Sequence, residues 1–260
     1  MTTTTESTSS PGLSAERLRA VVTGASTGIG AAATRHLVSA GWSVLAVARR
    51  GDRLDALAEE IGCDVLAADI TSEEDVASIV ETAGPVHALV NNAGGARGTE
   101  TIAEADLAKW SWMYEVNVLG TVRLTKALLP GLRASGRGDV VVVSSVAGYT
   151  TYEGGGGYAA AKHAERVIAQ TLRLELNGEP VRVIEVVPGL VHTEEFSLRR
   201  LGGDQAAADA VYAGVPGPLT ADDVADAITW TLTRPHHVNI DQLVIKPLAQ
   251  AAIHKMHRTI

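Results

Sequence analysis

From Leu18 onward, short apolar and β-branched runs alternate with longer stretches in which apolar residues return every three or four positions. The short runs fall at residues 19–22, 43–48, 64–67, 88–90, 140–143, 181–187 and 243–245, and each predicts a strand. The stretches between them carry a helical period, as in Leu54, Leu57, Ala58 and Ile61, or Val167, Ile168, Thr171 and Leu172. Strand, crossover helix and strand repeated in this way predict a parallel sheet covered on both faces. No internal repeat or linker divides the pattern, so residues 15–260 read as one α/β domain. Only residues 194–218, rich in Gly and Ala with paired Arg199 and Arg200, break the rhythm. Placed after the sixth strand, this segment reads as a lid or substrate loop.

Composition narrows the picture. With 46% hydrophobic and 20% charged residues, a chain of 260 residues suits a packed domain rather than a disordered one. A net charge of −8 leaves no basic footprint for nucleic acid, so an anionic cofactor must be gripped by local donors. Cys63 is the sole cysteine, which excludes an intramolecular disulfide and a cysteine-based metal cluster; a reducing, cytoplasmic setting and no metal are expected. Residues 1–14 have neither the basic nor the apolar segment of a secretory signal and read as a disordered leader. No apolar run approaches membrane-spanning length.

The first strand runs into Thr23-Gly24-Ala25-Ser26-Thr27-Gly28-Ile29-Gly30, just before a helix. Gly24 allows a sharp turn, Gly28 a close approach to pyrophosphate and Gly30 tight helix packing, and the helix start offers donors and a favourable dipole. A glycine-rich turn alone also serves purely structural ends. After the second strand stand Arg49 and Arg50, where a carboxylate binding ribose hydroxyls would favour NAD. Arg49 can pair with a 2′-phosphate, which favours NADP(H); Arg50 also reads as a solvated strand cap. Asp69 either meets the adenine edge or caps the following helix. Asn91, Asn92, Ala93 and Gly94 either let a cofactor lie against backbone or form an Asn-Gly-type turn.

Tyr158 and Lys162, four apart in a helical segment, share a face. A neighbouring ammonium lowers a phenol's pKa, so Tyr158 could exchange a proton with an alcohol or alkoxide. Ser145, closing the fifth strand, could donate to the same oxygen; no Gly-x-Ser-x-Gly elbow or suitably placed His supports a nucleophilic role. Asn117, an amide among apolar neighbours, is either a helix-surface residue or the holder of a water linking Lys162 to solvent. Arg200 and Arg97 are candidate partners for a substrate carboxylate or else solvated cations, and Glu153 could repel an anion or bind an amine.

Together, Thr23-Gly24-x3-Gly28-x-Gly30, Asn91-Asn92-Ala93-Gly94, Asn117, Ser145, Tyr158-x3-Lys162 and Pro188-Gly189-x-Val191-x-Thr193 resemble the short-chain dehydrogenase/reductase family across nearly everything after residue 18. The resemblance implies a single doubly wound Rossmann-type domain with a seven-stranded parallel sheet, an NADP(H) cofactor and a catalytic tetrad of Asn117, Ser145, Tyr158 and Lys162. It further implies cofactor contacts from Ser26, Thr27, Ile29, Arg49, Arg50, Asp69, Ile70, Asn91, Ala93, Gly94, Pro188, Gly189 and Val191, with Lys162 on the nicotinamide ribose and Thr193 on the carboxamide. Val187 departs from the family, where Asn or Glu is frequent. Glu195-Phe196-Ser197, Arg200, Leu219-Thr220, Trp230 and the run from Pro235 to Ile240 are similar to the NADP-dependent 3-hydroxy acid dehydrogenase branch, implying serine, allo-threonine, 3-hydroxyisobutyrate or a related substrate. A reductase of a bulkier neutral ketone or aldehyde is the alternative, and a non-catalytic NADP(H) sensor a more distant one. The family also implies a homotetramer, with the tail from His254 to Arg258 a candidate contact to a neighbouring subunit.

Overall fold

Consecutive apolar residues in a strand leave neither face to water, and the sheet meets that demand with helices on both sides. The computed structural model describes residues 17–259, so the expected leader lies outside the described residues. The strands are β1 (Arg19–Thr23), β2 (Ser43–Ala48), β3 (Asp64–Ala67), β4 (Ala88–Asn91), β5 (Gly138–Val143), β6 (Val181–Pro188) and β7 (Gln242–Ile245). All seven are parallel, in the order β3-β2-β1-β4-β5-β6-β7. The helices are α1 (Gly28–Ser39), α2 (Gly51–Ile61), α3 (Glu73–Ala83), α4 (Leu107–Tyr114), α5 (Gly120–Ala134), α6 (Gly156–Glu175), α7 (Phe196–Arg200), α8 (Gln205–Tyr212) and α9 (Ala221–Leu232). A two-stranded antiparallel hairpin, β8 (Gln250–Ala252) and β9 (Lys255–Met256), follows β7.

The period of two within each strand divides the core. Val22, Ala46, Val141 and Val143 pack with Leu37 of α1, Leu54 of α2 and Ile228 of α9. Val21, Leu45, Leu89 and Val142 pack on the other face with Ile79 of α3 and Leu124 and Leu128 of α5. From β1 the chain winds outward to β3, then returns to β4 and winds the other way, so a crevice opens between the carboxyl ends of β1 and β4.

The expected strands agree with the observed ones to within one or two residues. Three places differ. Residues 194–218 are not irregular throughout but fold α7 and α8, the latter capped by Asp204, whose side chain accepts from Ala207 N at 3.0 Å. The helix expected around Asn117 is interrupted by a π-helical turn, Glu115–Leu119, between α4 and α5. The hairpin β8–β9 was not expected, because strands of three and two residues carry no readable period. Beyond it the tail packs on its own chain, His257 N donating to Ala249 O at 2.8 Å and Thr259 N to Gly214 O at 2.7 Å.

The far end of the sheet is pinned by a buried ion pair. Arg182 Nε and Nη2 donate to Asp139 Oδ1 and Oδ2 at 2.5 and 3.0 Å, and Nη1 donates to Val238 O at 2.9 Å. Strands β5 and β6 are thereby tied to the connection between α9 and β7. No helix among the described residues is long and apolar enough to cross a membrane.

Candidate active site

The turn after β1 is built on glycine because other residues do not fit. Gly24 and Gly28 sit at φ +66° and +53°, a region that costs glycine nothing. A Cβ on Gly30 would stand 2.3 Å from the Gly24 carbonyl oxygen, so Gly30 lets α1 press against the turn and does not itself face the cavity. The start of α1, with Ser26, Thr27, Gly28 and Ile29, forms one wall of a cavity of about 1120 Å³. Ala93 and Gly94 after β4 and Thr193 after β6 form others.

The paired arginines divide their work. Arg49, about half exposed, lines the cavity 3.8 Å from Asp69 Oδ2. Arg50 is not a solvated cap. Its Nη1 and Nη2 donate to Glu195 at 2.6 and 3.0 Å, and Nη2 also reaches Ser26 Oγ at 3.0 Å, so it ties the glycine-rich turn to the segment leading into α7. Burial pushes the Glu195 carboxyl up, but the hydrogen bonds from Arg50 and the charges of Arg199 and Arg53 hold it below the usual carboxylate range. Asp69 does not cap α3, since Ser72 does; it accepts from Thr71 N and Oγ1 at 3.0 and 2.8 Å and, with Ile70, lines the cavity. Asn91 is turned away: its amide donates to Thr125 Oγ1 at 3.0 Å in the core beside α5, while Asn92 faces the cavity. The alternation of β4 assigns these two neighbours to opposite faces.

At the other end of the cavity, Tyr158 and Lys162 rise from the first turns of α6, with Nζ 5.8 Å from the phenol ring centroid. Both are nearly fully buried. Lys162 Nζ donates to Val143 O at 3.1 Å and lies 2.6 Å from Glu165 Oε2. Burial pushes the Tyr158 phenol up; Lys162 pulls it down as expected, and Glu165 adds to the upward push, leaving it above its ordinary value. Burial pulls Lys162 down, but Glu165 and Tyr158 more than restore its charge. Ser145 Oγ accepts from Ala147 N at 3.1 Å, and its hydroxyl is in hydrogen-bonding reach of the Tyr158 phenol, where it works against the upward push.

Asn117 is fully buried rather than on a helix surface. Its Oδ1 accepts from Gly95 N at 3.0 Å, and Nδ2 donates to Gly95 O at 3.0 Å and Met113 O at 2.6 Å. The π-helical turn aims this amide at the loop after β4, in keeping with the placement of such turns at functional sites. A Cβ on Gly94 would stand 2.4 Å from Asn117 Oδ1, so only glycine passes between Asn117 and the cavity.

A second cavity, of about 570 Å³, meets the first at Tyr158 and is lined by Ser145, Glu153, Pro188, Gly189, Val191 and Arg200. Pro188, Gly189 and Val191 therefore face this side and not the larger cavity. Arg200 Nη1 donates to Tyr152 OH at 2.9 Å, and its other bonds run to the Gly98 and Gly154 carbonyls, so among the described residues it hydrogen-bonds only neutral oxygens. Arg97 stacks on Trp112 at 3.8 Å and lines only the larger cavity. Tyr152, Tyr212, His254 and Arg258 also line the smaller cavity and were not expected from sequence. Tyr152 comes from the loop before α6, Tyr212 from the end of α8, His254 from within the hairpin and Arg258 from after it, none of which a local pattern marks as a cavity wall. Among the described residues no cluster of potential metal ligands occurs.

Comparison with known proteins agrees with this geometry. Residues 19–200 match the short chain dehydrogenase family. An uncharacterized oxidoreductase of Mycobacterium tuberculosis is 54% identical over 90% of this chain and 92% of its own length. Sulfoacetaldehyde reductase 2 of Chromohalobacter salexigens is 42% identical over 89% of this chain and 94% of its own. Among solved structures, the closed form of a serine dehydrogenase complexed with NADP+ is 35% identical and superposes with a TM-score of 0.88, covering 93% of this chain and all of that one. A glycine-built turn at the switch point of a seven-stranded parallel sheet, a tyrosine and lysine on one helix, and these likenesses place the chain in the short-chain dehydrogenase/reductase family of oxidoreductases.

Proposed function

We propose that this enzyme interconverts an alcohol and a carbonyl in a short anionic 3-hydroxy acid or its oxo counterpart, using NADP(H). The observation that carries the reading is Tyr158, whose side chain lines both cavities at their junction, beside Lys162 on one side and Ser145 on the other. The larger cavity fits the cofactor: a Cβ at Gly24, Gly30 or Gly94 would collide with the atoms that shape it, and α1 offers its backbone donors there. When bound, NADP(H) supplies or accepts the hydride. The protein's own part is the proton and the alignment. Tyr158 gives its phenolic proton to the nascent alkoxide in reduction and takes the hydroxyl proton in oxidation. Ser145 donates to the same oxygen and fixes it, Lys162 holds Tyr158 in a state that can release a proton, and Asn117 holds the loop that carries Gly94.

Arg49 supports NADP(H) over NAD(H), being the exposed cation on the cavity wall where a 2′-phosphate would need one. Arg49→Ser is expected to raise KM for NADP+ about 10- to 100-fold, the worth of one or two charge-assisted hydrogen bonds, while KM for NAD+ changes little. Equal changes for both cofactors in steady-state assays would remove Arg49 from this role.

Arg200 is the candidate for the substrate anion. Three of its five donors are bonded, which leaves two for a carboxylate or sulfonate. The names of the relatives support an anionic substrate: serine bears a carboxylate, and sulfoacetaldehyde a sulfonate, one carbon from the reacting carbon. Glu153 on the same wall suits an amine such as that of serine. A panel of serine, 3-hydroxyisobutyrate, sulfoacetaldehyde and neutral ketones tests this. Arg200→Ala is expected to lower kcat/KM about 10- to 100-fold for the anions and to leave neutral compounds nearly unchanged. Preference for bulky neutral ketones in the parent protein would turn the reading to a general ketone reductase, and no turnover at all would turn it to a sensor.

A homotetramer in a cytoplasmic setting completes the proposal. Leu107, Tyr114, Val122, Val167 and Leu174 leave apolar surface exposed on α4, α5 and α6, which suits subunit packing.

A further inference from the structure

Lys162 has a neighbour that its part in the tyrosine pair does not require. Three residues along α6, Glu165 places Oε2 2.6 Å from Nζ, and the side chains of the pair are only 3% and 6% exposed. The ammonium is the partner that holds Oε2, by charge and by hydrogen bonding at that short distance. A carboxylate this dry keeps its charge only beside a cation. Across from it, Glu185 of β6 is buried too, one oxygen accepting from Gln242 Nε2 at 2.5 Å and the other unpaired.

The charged and titratable groups acting on Glu165 and its lysine are thus Lys162 and Tyr158 from α6 and Glu185 from β6. Tyr149, with Arg166 stacked on it at 3.8 Å, borders Glu185. Burial pushes the Glu165 carboxyl up, with a smaller push from Glu185, and Lys162 pulls it back, leaving it raised to about 7. Asn117 does not share this work, because its amide is spent on Gly95 and Met113.

We propose that Glu165 is a positioning residue for the tyrosine–lysine pair: its carboxylate anchors the Lys162 ammonium and, by offsetting part of that charge, sets how acidic the Tyr158 phenol is. The inference rests on the assignment of Tyr158 as the acid/base. With the carboxylate in place, the phenol sees an ammonium–carboxylate dipole instead of a lone cation. A neutral amide there exposes Tyr158 to the full positive charge.

The test needs no substrate. The full chain loaded with NADP+ is titrated by tyrosinate ultraviolet absorbance, and subtraction of the Tyr158→Phe titration isolates Tyr158 from the other four of the five tyrosines. In a Glu165→Gln background, with its own Tyr158→Phe subtraction, the transition is expected to fall by about one pH unit, as removal of a unit charge several ångströms away predicts at an effective dielectric of about 20. Glu165→Asp, whose carboxylate stands farther from Nζ, is expected to move it the same way by less, and it decides the matter if the amide variant does not fold. Circular dichroism and NADP+ affinity verify that the variants compared are folded. An unmoved or raised transition overturns the proposal. Full turnover by Tyr158→Phe, in contrast, would sink the catalytic assignment and leave the titration result standing.

Discussion

Tyr158→Phe is expected to lower kcat about 10²- to 10⁴-fold, the usual worth of a positioned general acid/base. NADP(H) affinity should stay within a few-fold of the parent, because the phenyl ring keeps its place. That ring meets Phe196 edge-on, with centroids 5.7 Å apart at 63°, and a phenylalanine can make the same contact. Steady-state kinetics combined with cofactor titration checks both halves. A drop in cofactor affinity as large as the drop in kcat would mean that the hydroxyl serves binding, and the proton-transfer role would have to be reassigned.

The largest effect on stability is expected at the opposite end of the sheet. Arg182→Met leaves Asp139, fully buried, without the guanidinium that hydrogen-bonds it, and such breakage costs about 3–5 kcal/mol. For a chain of this size the melting temperature should fall on the order of 10 °C. The double variant Asp139→Leu/Arg182→Met should recover part of that loss, since an apolar pair needs no counter-charge. Full recovery is not expected, because the Val238 carbonyl also loses its donor. Calorimetry on the parent and the two variants separates these outcomes; a single variant as stable as the parent would show that water or His236, 4.0 Å away, compensates Asp139.

Much of this architecture is legible in the sequence for a physical reason. A strand covered on both faces must be apolar almost throughout, so residues 43–48 and 181–187 announce themselves without any alignment. The glycine-rich turn is equally plain, since Gly24 and Gly28 need a left-handed backbone and Gly30 has no room for a Cβ. Tyr158 and Lys162 follow from the pitch of one helix. Three-dimensional context decides the rest. The neighbours Arg49 and Arg50, both on the cavity wall, differ in their partners because Glu195, far along the chain, folds back onto Arg50. Asn91 reads like a cofactor residue but belongs to the core, because strand alternation sends its amide toward Thr125. The acid at position 165 resembles any helix-surface glutamate until the packing of α6 shows it buried against Lys162.

Residues 19–200 carry the short chain dehydrogenase match, and Tyr212, Gln250, Ile253, His254, Met256 and Arg258 around the smaller cavity all come later. The wall of that cavity is therefore drawn from two lengths of polypeptide, since Ser145, Glu153 and Arg200 come from the earlier one. Under the proposed function, exchange of the last dozen residues between relatives is expected to shift substrate preference while Tyr158 and Lys162 keep their places, and a substrate panel on such chimaeras checks it.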